Sequence, residues 1–465
     1  MKLCSNRTTP ITRRGMLEHT AAGFGWMAFA AMNAKPVQAG DEYVSPLSPK
    51  QPQFPGKAKR VIFLFMQGGP SHLDTFDWKP ELMKSGGKTA SNNNKDKGKS
   101  GPLLVPQFKF APRGKSGLPI SDLFPELSRH ADDLCLLNGM HTSNAAHPQA
   151  TIALHTGSVN FVRPSIGSWV TYGLGSENEN LPGFVTINPV GLGGAQNYGS
   201  SFLPASYQGT RVDLDAGGIL DIRNRHLGKE RQRSQIDLIQ GMNRGLLGKH
   251  PGQLELEGVI QSFELAYRMQ TSVPSVLNFE AEKASTLEQY GIDDEETREF
   301  GTQCLMARRL AEKGVRFIQV SSKGWDQHRD LKSELSKNCR GIDRPIAALL
   351  QDLKDRDMLK DTLVLWGGEF GRSPQDQGSG GDGRRHNNQG YSMWMAGGGV
   401  KGGIRYGATD ELGGTAVEGK LGTHDLHATM LHLLGFDHTK LTYRYAGRDF
   451  RLTDVYGEVA SGIIA

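Results

Sequence analysis

The hydrophobic residues of this chain fall into short continuous runs separated by long polar or glycine-rich stretches. Four runs stand out, at residues 61–66, 315–320, 362–366 and 391–396. They lack the polar alternation of a half-exposed strand. They match strands buried on both faces, as in a parallel sheet covered by helices. Shorter apolar stretches at 134–137 and 184–187 predict two more strands. Elsewhere apolar residues recur at helical spacing. Helices are expected over Ser121–Ala131, Gln149–His155, Pro164–Gly175, Arg298–Glu312 and Asp343–Leu353, and from Thr423 towards Gly435. Residues 222–290 combine helical periodicity with many charges, which predicts a helical insertion covering the sheet with solvated outer faces. Strands alternating with helices indicate the α/β class with a mostly parallel sheet.

The polar stretches set the boundaries. Residues 40–58 are Pro-rich and read as a linker. Residues 84–101 are low in complexity and read as a mobile, solvated surface loop rather than a contact for a polyanion. The first 39 residues read as an export signal. Thr12-Arg13-Arg14-Gly15-Met16-Leu17 resembles the twin-arginine pattern, Ala21–Met32 is weakly apolar, and Val37-Gln38-Ala39 offers small residues for cleavage. The apolar run is shorter than the roughly 20 residues of a membrane span, so no stable span is expected. The twin-arginine machinery, which exports folded proteins, is therefore an expected partner, and the mature protein is expected in the periplasm or otherwise exported. Residues 59–465 then form one large domain.

Composition narrows the function. The 465 residues carry a formal net charge of +5, with basic and acidic residues interspersed, which supports no nucleic-acid role. The 59 glycines and few aromatics predict many loops between short elements. Four cysteines, Cys4, Cys135, Cys304 and Cys339, form no CxxC pair, which argues against a thiolate metal site. Loss of Cys4 with the leader leaves either one disulfide and a free thiol or three buried thiols.

Candidate chemistry gathers at the strand ends, the edge where open α/β sheets bind ligands. Gln67 and His72 follow the first strand, and Asp326 and His328 follow the run at 315–320. Two residues apart in extended chain, Asp326 and His328 share one side and can reach one ion. Glu369 and Arg372 follow the run at 362–366, and His386 precedes the run at 391–396 across a glycine-rich loop. Divalent ions accept mixed imidazole and carboxylate ligands. Thr142, Ser143 and His147 lie just before the helix predicted over Gln149–His155, where the free N–H groups of a helix start favour an anion or metal site. His427 is expected to pack near the first turn of its helix rather than bind metal.

Several stretches carry a family resemblance: FLFMQGGPSHLDTFDWKP, HPQATIALHTG, GWDQH, GGEFGR, MAGGGVKGG and HDLHATMLHLLGFDHTKLTYRYAGRDFRLTDV. Together they span nearly the whole mature chain. It resembles the exported bacterial "domain of unknown function fifteen-oh-one" family, which is similar to sulfatases and belongs to the alkaline-phosphatase-like superfamily. The resemblance implies a mostly parallel sheet sandwiched between helices, with metal at the strands' carboxyl ends. Gln67 stands where that superfamily places a metal-binding Asp. His147 stands at the position of the nucleophile, where a formylglycine-forming sulfatase has Cys. Asp326 and His328 match the paired Asp/His ligands, Glu369 matches a ligand Asp followed here by Phe370, and His386 matches the later His ligand. The expected metal set is thus Gln67, Asp326, His328, Glu369 and His386, holding zinc, manganese or calcium. His147 is expected at the reaction centre, and Arg372 is expected to steady an anionic group. The implied activity is metal-dependent hydrolysis of phosphate or sulfate esters, on a small anionic ester or a sulfated or phosphorylated glycan. The alternative is a non-catalytic binding or scaffold protein of the cell envelope.

Overall fold

The central strand Arg60–Met66 is buried along its whole length, because its two faces serve two different cores. Ile62, Leu64 and Met66 pack with helices Arg298–Glu312 and Leu331–Asp355. Val61, Phe63 and Phe65 pack with helices Ile166–Leu174 and Thr423–Leu433. Each fully buried side chain of this kind contributes roughly 1.5–3 kcal/mol. This double burial is the physical reason for the unbroken apolar runs.

This computed structural model describes residues 45–88, 102–214, 218, 219, 222, 224, 226–249, 254–377 and 382–465. The expected export signal and most of the polar stretch 84–101 lie outside the described residues. Residues Pro46–Ala465 form one compact unit. Among the described residues no helix is long and apolar enough to cross a membrane.

Eight strands form the main sheet, in the order Ile404–Tyr406, Leu134–Met140, Tyr391–Ala396, Thr362–Gly367, Arg60–Met66, Phe317–Ser322, Phe184–Ile187, Thr210–Val212. All neighbours are parallel except Tyr391–Ala396, which runs antiparallel to both strands beside it. The start of that one strand therefore lies at the carboxyl edge of the others. The expected α/β class with a mostly parallel sheet between helices is the observed architecture.

Three expectations need correction. The helix over Ser121–Ala131 does not form. Ser121 ends a short hairpin strand, Leu118–Ser121, and Leu127–Asp133 is a 3₁₀ helix. Pro125 in the middle supplies no N–H for a continuous α-helix. Phe124, Leu127 and Ala131 are buried all the same, so their spacing reported the core and not the helix type. The helix expected over Asp343–Leu353 instead spans Leu331–Asp355, with Pro345 inside it. Leu331, Leu335, Cys339, Ile342 and Ile346 form its buried stripe. The expected linker is docked structure from residue 46 onward. The Lys50 N–H donates to the Leu174 carbonyl at 2.8 Å, and that of Lys57 to the Leu433 carbonyl at 2.8 Å. The three cysteines among the described residues, Cys135, Cys304 and Cys339, are free and buried, in line with the second of the two alternatives above.

Two buried histidines tie helix His147–Thr156 into the fold. His155 hydrogen-bonds through Nδ1 to the Thr151 carbonyl at 2.8 Å, its ring edge-on to Phe65 at 4.8 Å. His427 hydrogen-bonds through Nε2 to the Leu154 carbonyl at 2.7 Å, the packing role expected of it. Burial pushes His155 down to about 4 and His427 down to about 3, because neither charged ring could be solvated. In the unfolded chain both titrate near 6.5. Their contribution to stability is therefore complete above pH 6.5 and is lost as pH falls towards 4. For His155 this amounts to about 3 kcal/mol. Denaturation midpoints measured from pH 7.5 to 4.5 should fall steeply below 6.5. His155→Gln should flatten that slope, and an unchanged slope would refute the assignment.

Candidate metal centre

The site is assembled at the carboxyl edge from three turns and one helix start. Gln67 ends the central strand. Its N–H donates to the Ser322 carbonyl at 2.8 Å, and its carbonyl accepts from the Trp325 N–H at 3.1 Å. This pins the loop carrying Asp326 and His328 against the strand tip. Gly68 is required there: its φ is +123°, and a Cβ would lie 2.6 Å from the Asp326 nitrogen. The segments flanking the expected glycine-rich loop, whose residues 378–381 lie outside the described residues, form a ribbon. Gly371–Asp376 pairs antiparallel with Arg384–Asn387, placing His386 opposite Arg372. The ribbon runs so close to the His328 loop that a Cβ on Gly383 would meet the His328 carbonyl carbon at 2.1 Å. His147 is the first residue of helix His147–Thr156.

Asp326 Oδ1 is the hub. His147 Nε2 lies 3.3 Å from it, His328 Nε2 3.1 Å and His386 Nε2 3.3 Å. Arg372 Nη2 lies 2.5 Å from the same oxygen. His328 Nε2 and His386 Nε2 are 2.8 Å apart. Each ring is anchored through its other nitrogen to an oxygen acceptor. His147 Nδ1 meets Glu369 Oε1 at 2.5 Å, His328 Nδ1 meets Gln377 Oε1 at 3.0 Å, and His386 Nδ1 meets the Ala145 carbonyl at 2.7 Å. An Nδ1 that donates to an oxygen leaves a lone pair on Nε2 of the neutral ring. His147, Asp326 and His386 offer ligand atoms within 4.8 Å of one another, and His328 Nε2 lies on the same Asp326 oxygen. Phe370 packs against both His147 and His386, with ring centroids 4.7 Å apart in each case, and limits their rotation.

Charge follows this geometry. Burial works against a charged His147, but the carboxylates of Asp326 and Glu369 outweigh it and raise the ring to about 9. Burial also works against the Asp326 carboxylate, yet His147, His386 and Arg372 together hold it far below the usual range. Burial, helped by the Arg372 charge, lowers His328.

The sequence candidates separate into two shells. Asp326, His147 and His386 form a group that could hold a metal ion, and His328 Nε2 joins the same oxygen. The side chain of Asp326 is 44% exposed and that of Glu369 is 0% exposed, so only the first can meet a ligand from solution. Glu369 lies behind His147 and accepts the Gly68 N–H at 3.1 Å. Arg372 is fully buried. It donates to the carbonyls of Gly69 at 2.9 Å, Arg384 at 3.3 Å and Trp325 at 3.3 Å, and also to Gly68. With its donors committed inward, it positions Asp326 and does not face an anionic group, which corrects the role expected of it. Gln67 stands just past the strand tip, where its backbone holds the loop that carries Asp326 and His328. His72 is buried elsewhere, with Nε2 on the Gly413 carbonyl at 2.9 Å.

The model of the family described as "Protein of unknown function (DUF1501)" matches residues 58–464. The chain belongs to this family. No curated protein matches it. Among solved structures, this family member is similar to the lipoteichoic acid synthase LtaP from Listeria monocytogenes, at 11% identity and a TM-score of 0.37, covering 91% of this chain and 79% of that one. It is also similar to the PsFucS1 sulfatase from Pseudoalteromonas sp., at 11% identity and a TM-score of 0.33, covering 90% and 71%. A third is the alkaline phosphatase of the Antarctic bacterium TAB5, at 12% identity and a TM-score of 0.30, covering 75% and 92%. No residue role is taken from these likenesses. In this DUF1501 chain, sequence reasoning missed Gln377, the Ala145 carbonyl and the buried pair Asp74–Arg384. A loop glutamine and a backbone carbonyl leave no pattern to find.

The donor set fits a metal ion. One oxygen offers two lone pairs, and Arg372 already takes one, so it cannot accept from three protonated rings as well. His328 and His386 at 2.8 Å cannot both carry a proton between them. A divalent cation would relieve this crowding on one oxygen, and the 3.3 Å from Asp326 Oδ1 to His147 Nε2 and to His386 Nε2 suits the edges of a tetrahedron with spokes of about 2.0–2.1 Å. Imidazole ligands disfavour calcium, which takes oxygen ligands.

Proposed function

We propose that this protein is an exported metal-dependent hydrolase of phosphate or sulfate esters. The carrying observation is the convergence of three anchored imidazoles and one carboxylate oxygen at the solvent-facing carboxyl edge of the sheet. Asp326, His147, His328 and His386 hold the ion. When bound, a divalent ion would polarise a phosphoryl or sulfuryl oxygen and lower the pKa of a water molecule. The chain's own part is orientation. Glu369 fixes the tautomer of His147, Gln377 that of His328, and the Ala145 carbonyl that of His386. Arg372 holds Asp326 in place and keeps it ionised. The start of helix His147–Thr156 adds a partial positive charge beside the anionic substrate. We assign the substrate to small anionic esters or to sulfated or phosphorylated glycans. Export by the twin-arginine route, with the mature protein in the periplasm, rests on residues 12–39 of the sequence.

The test has two parts. Elemental analysis of the purified mature protein is expected to show stoichiometric zinc or manganese. Hydrolysis of generic aryl phosphates and aryl sulfates is expected to stop on chelation and return with the metal. Metal without turnover would favour the scaffold alternative, and no metal would end the proposal. Glu369→Gln keeps the shape of the His147 anchor but removes its charge. It should weaken metal binding about 10- to 100-fold, measured by competition with a chelator.

A further inference from the structure

A second cavity, of about 560 Å³, opens beside the carboxyl ends of the neighbouring strands Phe184–Ile187 and Phe317–Ser322. None of its lining residues belongs to the metal cluster. Its volume falls in the range of small-molecule sites, and its position is one where open α/β sheets bind ligands.

Polar groups that the fold uses only in part line it: the Gln303 NH2 donates to Glu299 Oε1 at 3.4 Å while its amide oxygen is left over. Gln303 is 1% exposed, and its Oε1 has no hydrogen-bond partner among the described residues. A buried amide oxygen left unpaired costs about 1–3 kcal/mol. Asn188 is held at a φ of +45°, and its Oδ1 accepts the Leu214 N–H at 2.8 Å, which commits the carbonyl side of its amide and leaves the NH2 side for the cavity. Gly341, inside helix Leu331–Asp355, adds no side chain to the wall.

The rim carries both charges. Glu295 and Glu299 stand on the side of helix Arg298–Glu312, and Lys323 and Lys337 on the side of the strand end and helix Leu331–Asp355. Among the described residues none of these four forms an ion pair, whereas Glu296 beside them is taken by Arg340 at 3.2 Å. Opposite charges that share a cavity without neutralising each other suit a ligand that carries both. An unpaired amide oxygen and an amide NH2 in the floor suit a peptide bond between them.

We propose that this cavity binds a small zwitterion of amino-acid or short-peptide type. Its ammonium meets Glu295 and Glu299, its carboxylate meets Lys323 and Lys337, and its amide meets Gln303 and Asn188. Titration calorimetry on the full mature chain tests this with alanine, dialanine, trialanine and N-acetyl-dialanine amide as probes. Saturable binding of at least one uncapped probe is expected, with the capped probe at least tenfold weaker. Tightest binding by alanine would mark an amino-acid site, and by the longer probes a peptide site; either supports the proposal. Glu299→Gln and Lys337→Met, both at exposed positions that leave folding intact, should each weaken binding by about two- to fivefold. The proposal is overturned if no uncapped probe binds, if the capped probe binds as tightly as the uncapped ones, or if the variant combining Glu299→Gln with Lys337→Met binds as the parent does. Metal content and ester hydrolysis are read separately, so failure here leaves the hydrolase reading standing.

Discussion

Asp326→Ala is expected to strip the protein of its metal and reduce ester hydrolysis by more than about a hundredfold, beyond the loss typical of an outer-shell partner. The reason is geometric. Asp326 Oδ1 is the single anion on which His147, His328, His386 and Arg372 converge. Its removal leaves three imidazoles beside a buried guanidinium, with the remaining carboxylate, Glu369, sealed behind His147, so no exposed anion is left to attract a divalent ion. Arg372 keeps its backbone carbonyl partners but loses the carboxylate beside its buried charge, so the variant should also lose stability, and its denaturation midpoint is read alongside its metal content. Asp326→Asn separates charge from shape: it retains an oxygen ligand but no charge, and should bind metal more weakly than the parent and more strongly than the alanine variant. Elemental analysis and a zinc titration followed by calorimetry check this order. Parental metal content in Asp326→Ala would move the metal away from this cluster.

The largest effect on stability is expected from Asp74→Ala. Arg384 and Asp74 are both 0% exposed and meet at 2.8 Å between Nε and Oδ2. The guanidinium also donates to the carbonyls of Leu104 at 2.9 Å and Val105 at 3.1 Å. Asp74 in turn accepts from the Gln107 N–H at 2.7 Å and the Ser71 hydroxyl at 2.5 Å. The pair therefore clamps the ribbon that carries His386 to the segment following the first strand. Removing the carboxylate alone leaves a buried, uncompensated charge, which costs about 3–5 kcal/mol. Asp74→Leu combined with Arg384→Met removes both charges and should recover much of that loss. Denaturant midpoints at constant slope measure the difference. Because Arg384 stands two residues before His386, Asp74→Ala should also lower metal affinity, and an intact affinity would show that the ribbon is held by other contacts.

The two depths of the candidate site show why residue type alone did not assign roles. Glu369 and Asp326 are both carboxylates at strand ends, and Arg372 follows three residues after Glu369. Only depth in the structure distinguishes them. Glu369 is sealed behind His147, and Arg372 is sealed behind Asp326, so one orients a ligand and the other holds one. His147 moves the other way: a residue expected at the reaction centre lies within the donor group itself.

By itself the sequence determined the α/β class, the strands of the sheet centre, and the residues on the carboxyl edge that carry chemistry. Double burial demands unbroken apolar runs, and such runs are visible in one dimension. Family resemblance gave roles to His147 and His386, already candidates by their place before a helix and a strand, and the family model confirms membership across residues 58–464. Tertiary structure alone decided which donors meet. The antiparallel direction of Tyr391–Ala396 brings His386 to the shared edge, and the ribbon register sets it opposite Arg372. Gln377, the Ala145 carbonyl and the Asp74–Arg384 clamp act through contacts between segments tens to hundreds of residues apart, and such contacts leave no periodicity along the chain.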